Sequence, residues 1–76
     1  MNSPQKLGRY MVATASPVND RWLVADRKGE RLGEIEWHAS WGHYEFCPRP
    51  LTAYSHDCLA AMSEFLVTLN AERRTK

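Results

Sequence analysis

The sequence lacks a surplus of charge of either sign and lacks any long apolar run. Ten basic residues stand against nine acidic residues, which leaves a formal net charge of +1. Nucleic acids and anionic membranes select for a strong positive field, so this balance does not indicate either partner. No apolar stretch reaches the roughly 20 residues of a membrane-spanning helix, and the opening residues contain no apolar core of a signal peptide. We therefore expect a cytoplasmic protein that makes no membrane contact.

The sequence is also poor in cysteine, with only Cys47 and Cys58. In the cytosol these residues remain thiols, whereas an oxidising compartment would allow a disulfide between them. The cysteines and three histidines raise the question of zinc, because thiolates and imidazoles are its preferred ligands. Structural zinc sites usually draw on close ligand pairs such as C-x-x-C, and the chain has no such pair. We expect neither a metal nor a cofactor.

Motifs for nucleotide binding and catalysis are missing as well. The chain contains neither G-x-x-x-x-G-K-[ST] nor G-x-G-x-x-G, the glycine-rich loops that bind phosphates. Cys58 near a helix start, with His56 beside it, could form part of a cysteine nucleophile, but no orienting residue or oxyanion-hole loop accompanies them. Glu34, Glu36 and Glu45 fall on an open sheet face, which does not favour acid/base catalysis. We therefore expect that the protein is not an enzyme.

One long segment, residues 54–70, has a clear helical period. Ser55 fits the N-cap of this helix, and Tyr54 and Leu59 have the spacing of a hydrophobic staple. A helix that is apolar on one side must pack on an apolar surface. Apolar residues at steps of three and four predict a single stripe that consists of Leu59, Met62, Phe65, Leu66 and Leu69.

The residues before the helix predict an antiparallel meander of three to four strands, which makes the fold class α+β. Alternating segments at 9–14, 21–26, 31–37 and 43–48 are separated by turn-forming residues, the first turn covering 16–20. We expect residues 1–8 to be a flexible lead-in and residues 9–74 to form a single domain. The C-terminal helix should cover the inner face of the sheet, which comprises Trp22, Val24, Ile35, Trp37, Tyr44 and Phe46.

The alternation of apolar residues also predicts how the strands pair, since a slip of one residue would turn every side chain to the wrong face. For the second and third predicted strands, the expected opposite pairs are Trp22 with Ile35, Val24 with Gly33 and Asp26 with Arg31. For the third and fourth predicted strands, they are Ile35 with Tyr44, Gly33 with Phe46 and Glu36 with His43.

The outer face of this sheet is the candidate functional surface. Antiparallel sheets often expose one face to water, so a solvated face is one interpretation and a partner-binding surface is the other. Trp41 lies in the last turn of the sheet, where it packs poorly on the core unless it folds back on the sheet edge or stacks on the helix. Tryptophan is enriched among interface hot spots. We predict a partner-binding site that consists of Trp41, Glu34, Glu36, Glu45 and His43.

The run RLGEIEW at 31–37, the YEF at 44–46 and the helix ending FLVTLN at 65–70 resemble small, uncharacterised proteins of bacteriophages and prophages. The resemblance covers roughly residues 20–73. It implies an accessory protein that binds a host protein or protein complex and inhibits a host defence machine such as CRISPR-Cas, as anti-CRISPR proteins do. A homodimer is a further expectation, because a chain this short buries only about 60% of its unfolded surface.

The order of strands followed by a helix is also similar to the arm-binding domains of tyrosine recombinases, which lay a three-stranded sheet into the DNA major groove. Phosphate contacts come from lysine and arginine. Here Arg21, Arg27, Lys28 and Arg31 cluster around the first predicted hairpin. Three glutamates on the outer face oppose this interpretation, so DNA binding is the second hypothesis.

Overall fold

The computed structural model describes residues 4–16 and 20–74 and has the predicted α+β class. The five strands form one antiparallel sheet in the order β1-β2-β3-β4-β5, so each strand pairs with its neighbours in the chain. No helix in the described residues combines the length and apolarity needed to cross a membrane. The elements are β1 (Gln5–Leu7), β2 (Met11–Ala15), β3 (Arg21–Asp26), β4 (Arg31–His38), β5 (His43–Pro48) and α1 (His56–Arg74).

The sheet has five strands instead of three to four because residues 5–7, expected in the flexible lead-in, pair with β2 as an edge strand. Leu7 lies opposite Met11, and both side chains are buried. Gly8 has a φ of 66°, a value that glycine adopts readily, and permits the tight turn between β1 and β2. Residues 17–19 of the predicted first turn lie outside the described residues.

The pairing of β3 with β4 confirms two of the three predicted pairs. Trp22 lies opposite Ile35, and Val24 lies opposite Gly33. Val24 and Ile35 are fully buried, and Trp22 packs against them from the edge of the core. The alternation of apolar residues along these strands therefore predicts this part of the register correctly.

The third predicted pair, Asp26 with Arg31, is wrong. A β-bulge between Val24 and Ala25 shifts the register, so Arg31 lies opposite Ala25. Asp26 stabilises the turn instead, since its Oδ1 accepts hydrogen bonds at 2.9 Å from the backbone N–H groups of Lys28 and Glu30. Aspartate favours such local bonds, which compete with regular strand pairing.

The predicted register of β4 with β5 is wrong by two residues. Ile35 lies opposite Phe46 instead of Tyr44. A shift of two residues keeps every side chain on its predicted face, because the period of a strand is two. The turn of residues 39–42 is closed by a hydrogen bond from Gly42 N to His38 O at 2.7 Å. In place of the expected pairs, the structure has Gly33 with Pro48, Glu36 with Glu45, Trp37 with Tyr44 and His38 with His43.

Helix α1 begins after the predicted N-cap. The Oγ of Ser55 accepts a hydrogen bond from the backbone N–H of Cys58 at 3.3 Å. At the other end of the helix, the Oδ1 of Asn70 accepts a hydrogen bond from the backbone N–H of Tyr44 at 2.7 Å. In the part of the sheet that the structure describes, β5 pairs with β4 alone, so this bond satisfies a backbone donor on its open edge.

The helix covers the inner face of the sheet, and all six predicted inner-face residues belong to the core or pack against it. The predicted stripe on the helix is wrong at Leu59, whose side chain is 54% exposed. Cys58 and Ala61 pack on the core in its place. Tyr54, one member of the predicted staple, meets the ring of Phe46 at a centroid distance of 5.6 Å.

Candidate protein-binding surface

Trp41 lies in the turn between β4 and β5, and its side chain is 69% exposed. Its ring stacks on His38 at a centroid distance of 4.7 Å and an interplanar angle of 25°, and it meets His43 at 5.5 Å. The backbone N–H of Trp41 donates a hydrogen bond to Nδ1 of His38 at 3.2 Å. We call Trp41, His38 and His43 the aromatic cluster. The indole therefore packs against two imidazoles although most of its surface meets water.

Next to the aromatic cluster, three carboxylates lie on the outer face, and we call Glu34, Glu36 and Glu45 the carboxylate stripe. The Nε2 of His43 lies 3.2 Å from Oε2 of Glu45, which connects the two groups of residues. Glu36 lies directly opposite Glu45 across the two strands. Like charges in this position repel each other.

Arginines neutralise only part of the carboxylate stripe. Arg21 lies 3.2 Å from Glu34 and 3.5 Å from Glu36, and Arg31 lies 3.9 Å from Glu34. Among the described residues, Glu45 makes its ion-pair contact with the imidazole of His43. Three carboxylates thus face two guanidinium groups, and the excess negative charge lies at the end of the stripe nearest Trp41.

All five predicted site residues lie on the outer face or in its adjoining turn, within one patch. The prediction missed His38, although the alternation along β4 places it on the same face as Glu34 and Glu36. It also missed the role of Arg21. The sequence suggests that this residue belongs to a basic cluster at the first predicted hairpin, which is the hairpin of β3 and β4. Arg21 begins β3 at the opposite end from that hairpin and pairs with two carboxylates. The outer face therefore offers fewer unpaired cations than the sequence suggests.

The thiol of Cys47 lies on β5 at the far end of the carboxylate stripe, opposite Glu34. Partial burial raises the pKa of Cys47, and the charges of Glu36, Glu45 and Glu34 raise this pKa further, against the lowering effect of Arg21. A raised pKa leaves less thiolate at neutral pH, which is the reverse of an activated nucleophile. Both cysteines are free thiols. In the described part of the chain, no group of three or more His, Cys, Asp or Glu side chains is arranged to hold a metal ion.

A second polar site lies where the end of α1 meets the sheet. The guanidinium of Arg73 lies 3.8 Å from the centroid of the Trp37 ring and pairs with the carboxylate of Asp20. The hydroxyl of Tyr44 donates a hydrogen bond to Asp20 at 2.7 Å and accepts one from Arg73 at 3.1 Å. An open cleft of about 570 Å³ adjoins these residues. Because these charged groups bind each other, we interpret the site as a structural connection between helix and sheet.

Neither a protein-family model nor a curated protein nor a solved structure matches this chain. The geometry of the outer face is therefore the basis for assigning a function.

Proposed function

We propose that the protein acts by binding another protein through the outer face of its sheet, with Trp41 as the main apolar contact. The observation that carries this proposal is an indole that is largely exposed and packs against two imidazoles. A side chain that is already ordered loses little conformational entropy on binding. Tryptophan is also among the residues that contribute most at interfaces.

The carboxylate stripe beside Trp41 gives the partner a preferred charge. Its excess negative charge at Glu36 and Glu45 complements a basic surface. Charges at the rim of an interface mainly speed association, and salt screens their effect. Binding should therefore combine an apolar contact that does not depend on salt with an electrostatic contribution that weakens as the salt concentration rises.

The resemblance to small proteins of bacteriophages and prophages suggests that this partner is a host protein or protein complex in the cytoplasm. On this proposal the chain is not an enzyme, and it inhibits a host defence machine such as CRISPR-Cas by occupying a functional surface. The DNA-binding alternative is less favoured, because Arg21 and Arg31 on the outer face already contact glutamates.

Capture of partners from host cells by the tagged chain tests this function, with Trp41→Ala as the diagnostic variant. Removal of a hot-spot side chain typically costs at least about 2 kcal/mol of binding free energy, so we expect a Kd roughly 30-fold higher. Tyr10→Ala is the matched control, because Tyr10 is 49% exposed in the turn between β1 and β2, outside the proposed surface. Circular dichroism should show that both variants are folded.

Equal affinity of Trp41→Ala and the parent chain would contradict the proposed surface. Capture of nucleic acid alone, with affinity that falls steeply as salt rises, would replace the proposal by the DNA-binding hypothesis.

A further inference from the structure

One face of the Trp41 indole is covered and the other is open. The ring of His38 lies nearly parallel to the indole at a centroid distance of 4.7 Å, so it stacks on a single face. His43 approaches at a steeper angle of 66°, which is an edge contact. Because Trp41 remains 69% exposed, the second face of the indole lies largely in water. The aromatic cluster therefore offers a flat, electron-rich surface to a partner.

Excess negative charge lies beside this open face. The imidazole of His43 contacts Trp41 and also lies 3.2 Å from a carboxylate oxygen of Glu45. These two contacts keep the Glu45 carboxylate within roughly 10 Å of the indole, about the distance over which salt screens a charge. Glu36 lies directly opposite Glu45 and adds to the negative potential. A cation on the open face of the indole would be attracted by the ring and by the carboxylates together.

The second polar site of the molecule contains the cation that this surface lacks. There the guanidinium of Arg73 lies 3.8 Å from the centroid of the Trp37 ring and pairs with the carboxylate of Asp20. An indole, a guanidinium and a carboxylate thus meet within the chain itself. At Trp41 the indole and the carboxylates are present, but in the described part of the chain no guanidinium lies over the ring. A cation from another molecule would complete the same arrangement.

We propose that the partner protein places an arginine side chain on the open face of Trp41, within the field of Glu36 and Glu45. This inference rests on the proposed function and names the chemistry of the partner's contact residue. Arginine fits better than lysine, because its guanidinium is planar, weakly hydrated and stacks on aromatic rings. An apolar side chain in the same place would remove water from the carboxylates without supplying a counter-charge, which is unfavourable. Arginine is also enriched among interface hot spots.

The charge of the surface argues against other occupants. A nucleic-acid base can stack on an indole, but Glu36 and Glu45 repel the phosphates that accompany it. In a symmetric dimer the same patch of both copies meets at the interface, so two carboxylate stripes would face each other, and like charges disfavour such a contact. A head-to-tail contact between copies would continue into open assemblies unless it closed into a ring. A foreign protein with a basic side chain therefore fits this surface better than a second copy of the chain.

Hexa-arginine and hexa-lysine peptides, which carry equal charge, test the preference for arginine. Binding of each peptide is followed by NMR through the backbone N–H signal of Glu45. Hexa-arginine should bind the parent chain about 2–5-fold more tightly than hexa-lysine, the range expected for a cation–π contact at an exposed site. In Trp41→Ala this difference between the peptides should disappear. Equal affinities of the parent chain for the two peptides, or no binding of either, would overturn the inference.

The contribution of the carboxylates is tested with the same peptides. Glu45→Gln should weaken the binding of both peptides by a similar factor, because it removes a charge and leaves the indole unchanged. Glu64→Gln is the matched control, since this exposed glutamate lies on the helix and not on the outer face, and both affinities should be unchanged. Circular dichroism should show that all variants are folded. Unchanged affinities in Glu45→Gln would overturn the site.

The partner captured by the parent chain separates a failure of this inference from a failure of the proposed function. Tetrafluorotryptophan at position 41 keeps the shape and apolarity of the indole but withdraws electrons from its face, so it weakens the attraction of a cation. The Kd for the captured partner should rise about 2–5-fold.

If the fluorinated chain binds as tightly as the parent while Trp41→Ala loses binding, the arginine contact is wrong and the proposed function stands. If Trp41→Ala keeps the captured partner, both proposals are wrong. A molecular mass that rises with concentration for the parent chain but not for Trp41→Ala would assign the open face of the indole to a second copy and overturn the inference.

Discussion

Charge is one way in which single residues on the outer face influence one another. The imidazole of His43 contacts Glu45, while Arg21 contacts Glu36 on the neighbouring strand. Cys47 lies within the field of these carboxylates, which raise its pKa after the larger effect of partial burial. The pKa of this thiol therefore depends on the charges of the surface that we propose for binding.

We predict that alkylation of Cys47 requires a higher pH than alkylation of an unhindered cysteine. Its raised pKa reduces the thiolate fraction at any pH below that pKa, and only the thiolate reacts rapidly. In a Cys58→Ser background, Glu45→Gln should lower the pKa and speed iodoacetamide labelling near pH 8. Glu64→Gln, on the exposed side of the helix, should leave the rate unchanged. A pH profile that does not respond to Glu45→Gln would exclude this electrostatic influence.

The sequence predicted which side chains share the outer face, because alternation along a strand fixes the face of each residue. It did not predict that Trp41 stacks on His38. That contact depends on the path of a turn in which Gly42 has a φ of 70°, and a glycine permits several paths. Leu51, in the turn between β5 and α1, has a left-handed conformation with a φ of 65°, which sequence reasoning does not predict because leucine is the wrong residue type to suggest it.

At the scale of the elements, the alternation of side chains determines strand register only to within two residues. The predicted pair Ile35 with Tyr44 and the observed pair Ile35 with Phe46 place the same side chains in the core. The difference arises because β4 extends to His38, which is then opposite His43 across a turn of four residues. The position and length of this turn set the register, and the pattern of residues alone does not predict that turn uniquely.

We predict that Gly33→Ala destabilises the sheet. An added Cβ would lie 2.5 Å from the carbonyl oxygen of Cys47 and 2.9 Å from both a ring carbon of Phe46 and the Cα of Pro48. Overpacking of this kind typically costs about 1–3 kcal/mol, so the midpoint of urea unfolding should fall. Gly42→Asn provides the comparison, since a side chain there meets open space and asparagine tolerates a positive φ. Equal midpoints for Gly33→Ala and the parent would contradict the observed register.

The helix illustrates a second ambiguity between neighbouring stripes. A stripe through Leu59 and one through Cys58 both continue through Met62 toward Leu69, so the period alone does not separate them. The structure selects Cys58 and Ala61 because the helix comes close to the turn after β1. A Cβ on Gly8 would lie only 3.1 Å from that of Ala61. Small side chains are required where the backbones approach, and the larger leucine lies outside.

For the molecule as a whole, small size means limited stability. A chain of 76 residues has an expected free energy of unfolding of roughly 4–11 kcal/mol, at about 0.05–0.15 kcal/mol per residue. Its core is shared between one face of the sheet and one side of the helix. The loss of a single buried side chain at their contact should therefore affect the entire fold.

We predict that Met62→Ala lowers the free energy of unfolding by about 2–5 kcal/mol, a large share of the total. Leu59→Ala, three residues away on the exposed side, should change it by less than about 0.5 kcal/mol. The two variants distinguish the observed helix orientation from the predicted one, in which both residues were buried. Thermal unfolding followed by circular dichroism measures both effects. Comparable losses for the two variants would show that the helix packs differently.

The position of α1 after all five strands has a consequence for synthesis on the ribosome. Translation at about 5–20 residues per second needs about 1–4 s for the 19 residues of the helix. Until the helix has been made, nothing in the chain covers the inner-face aromatic residues Trp22, Trp37 and Phe46, and the edge of β5 lacks its bond to Asn70. A translation product that stops before the helix would therefore be a substrate for chaperones and proteases.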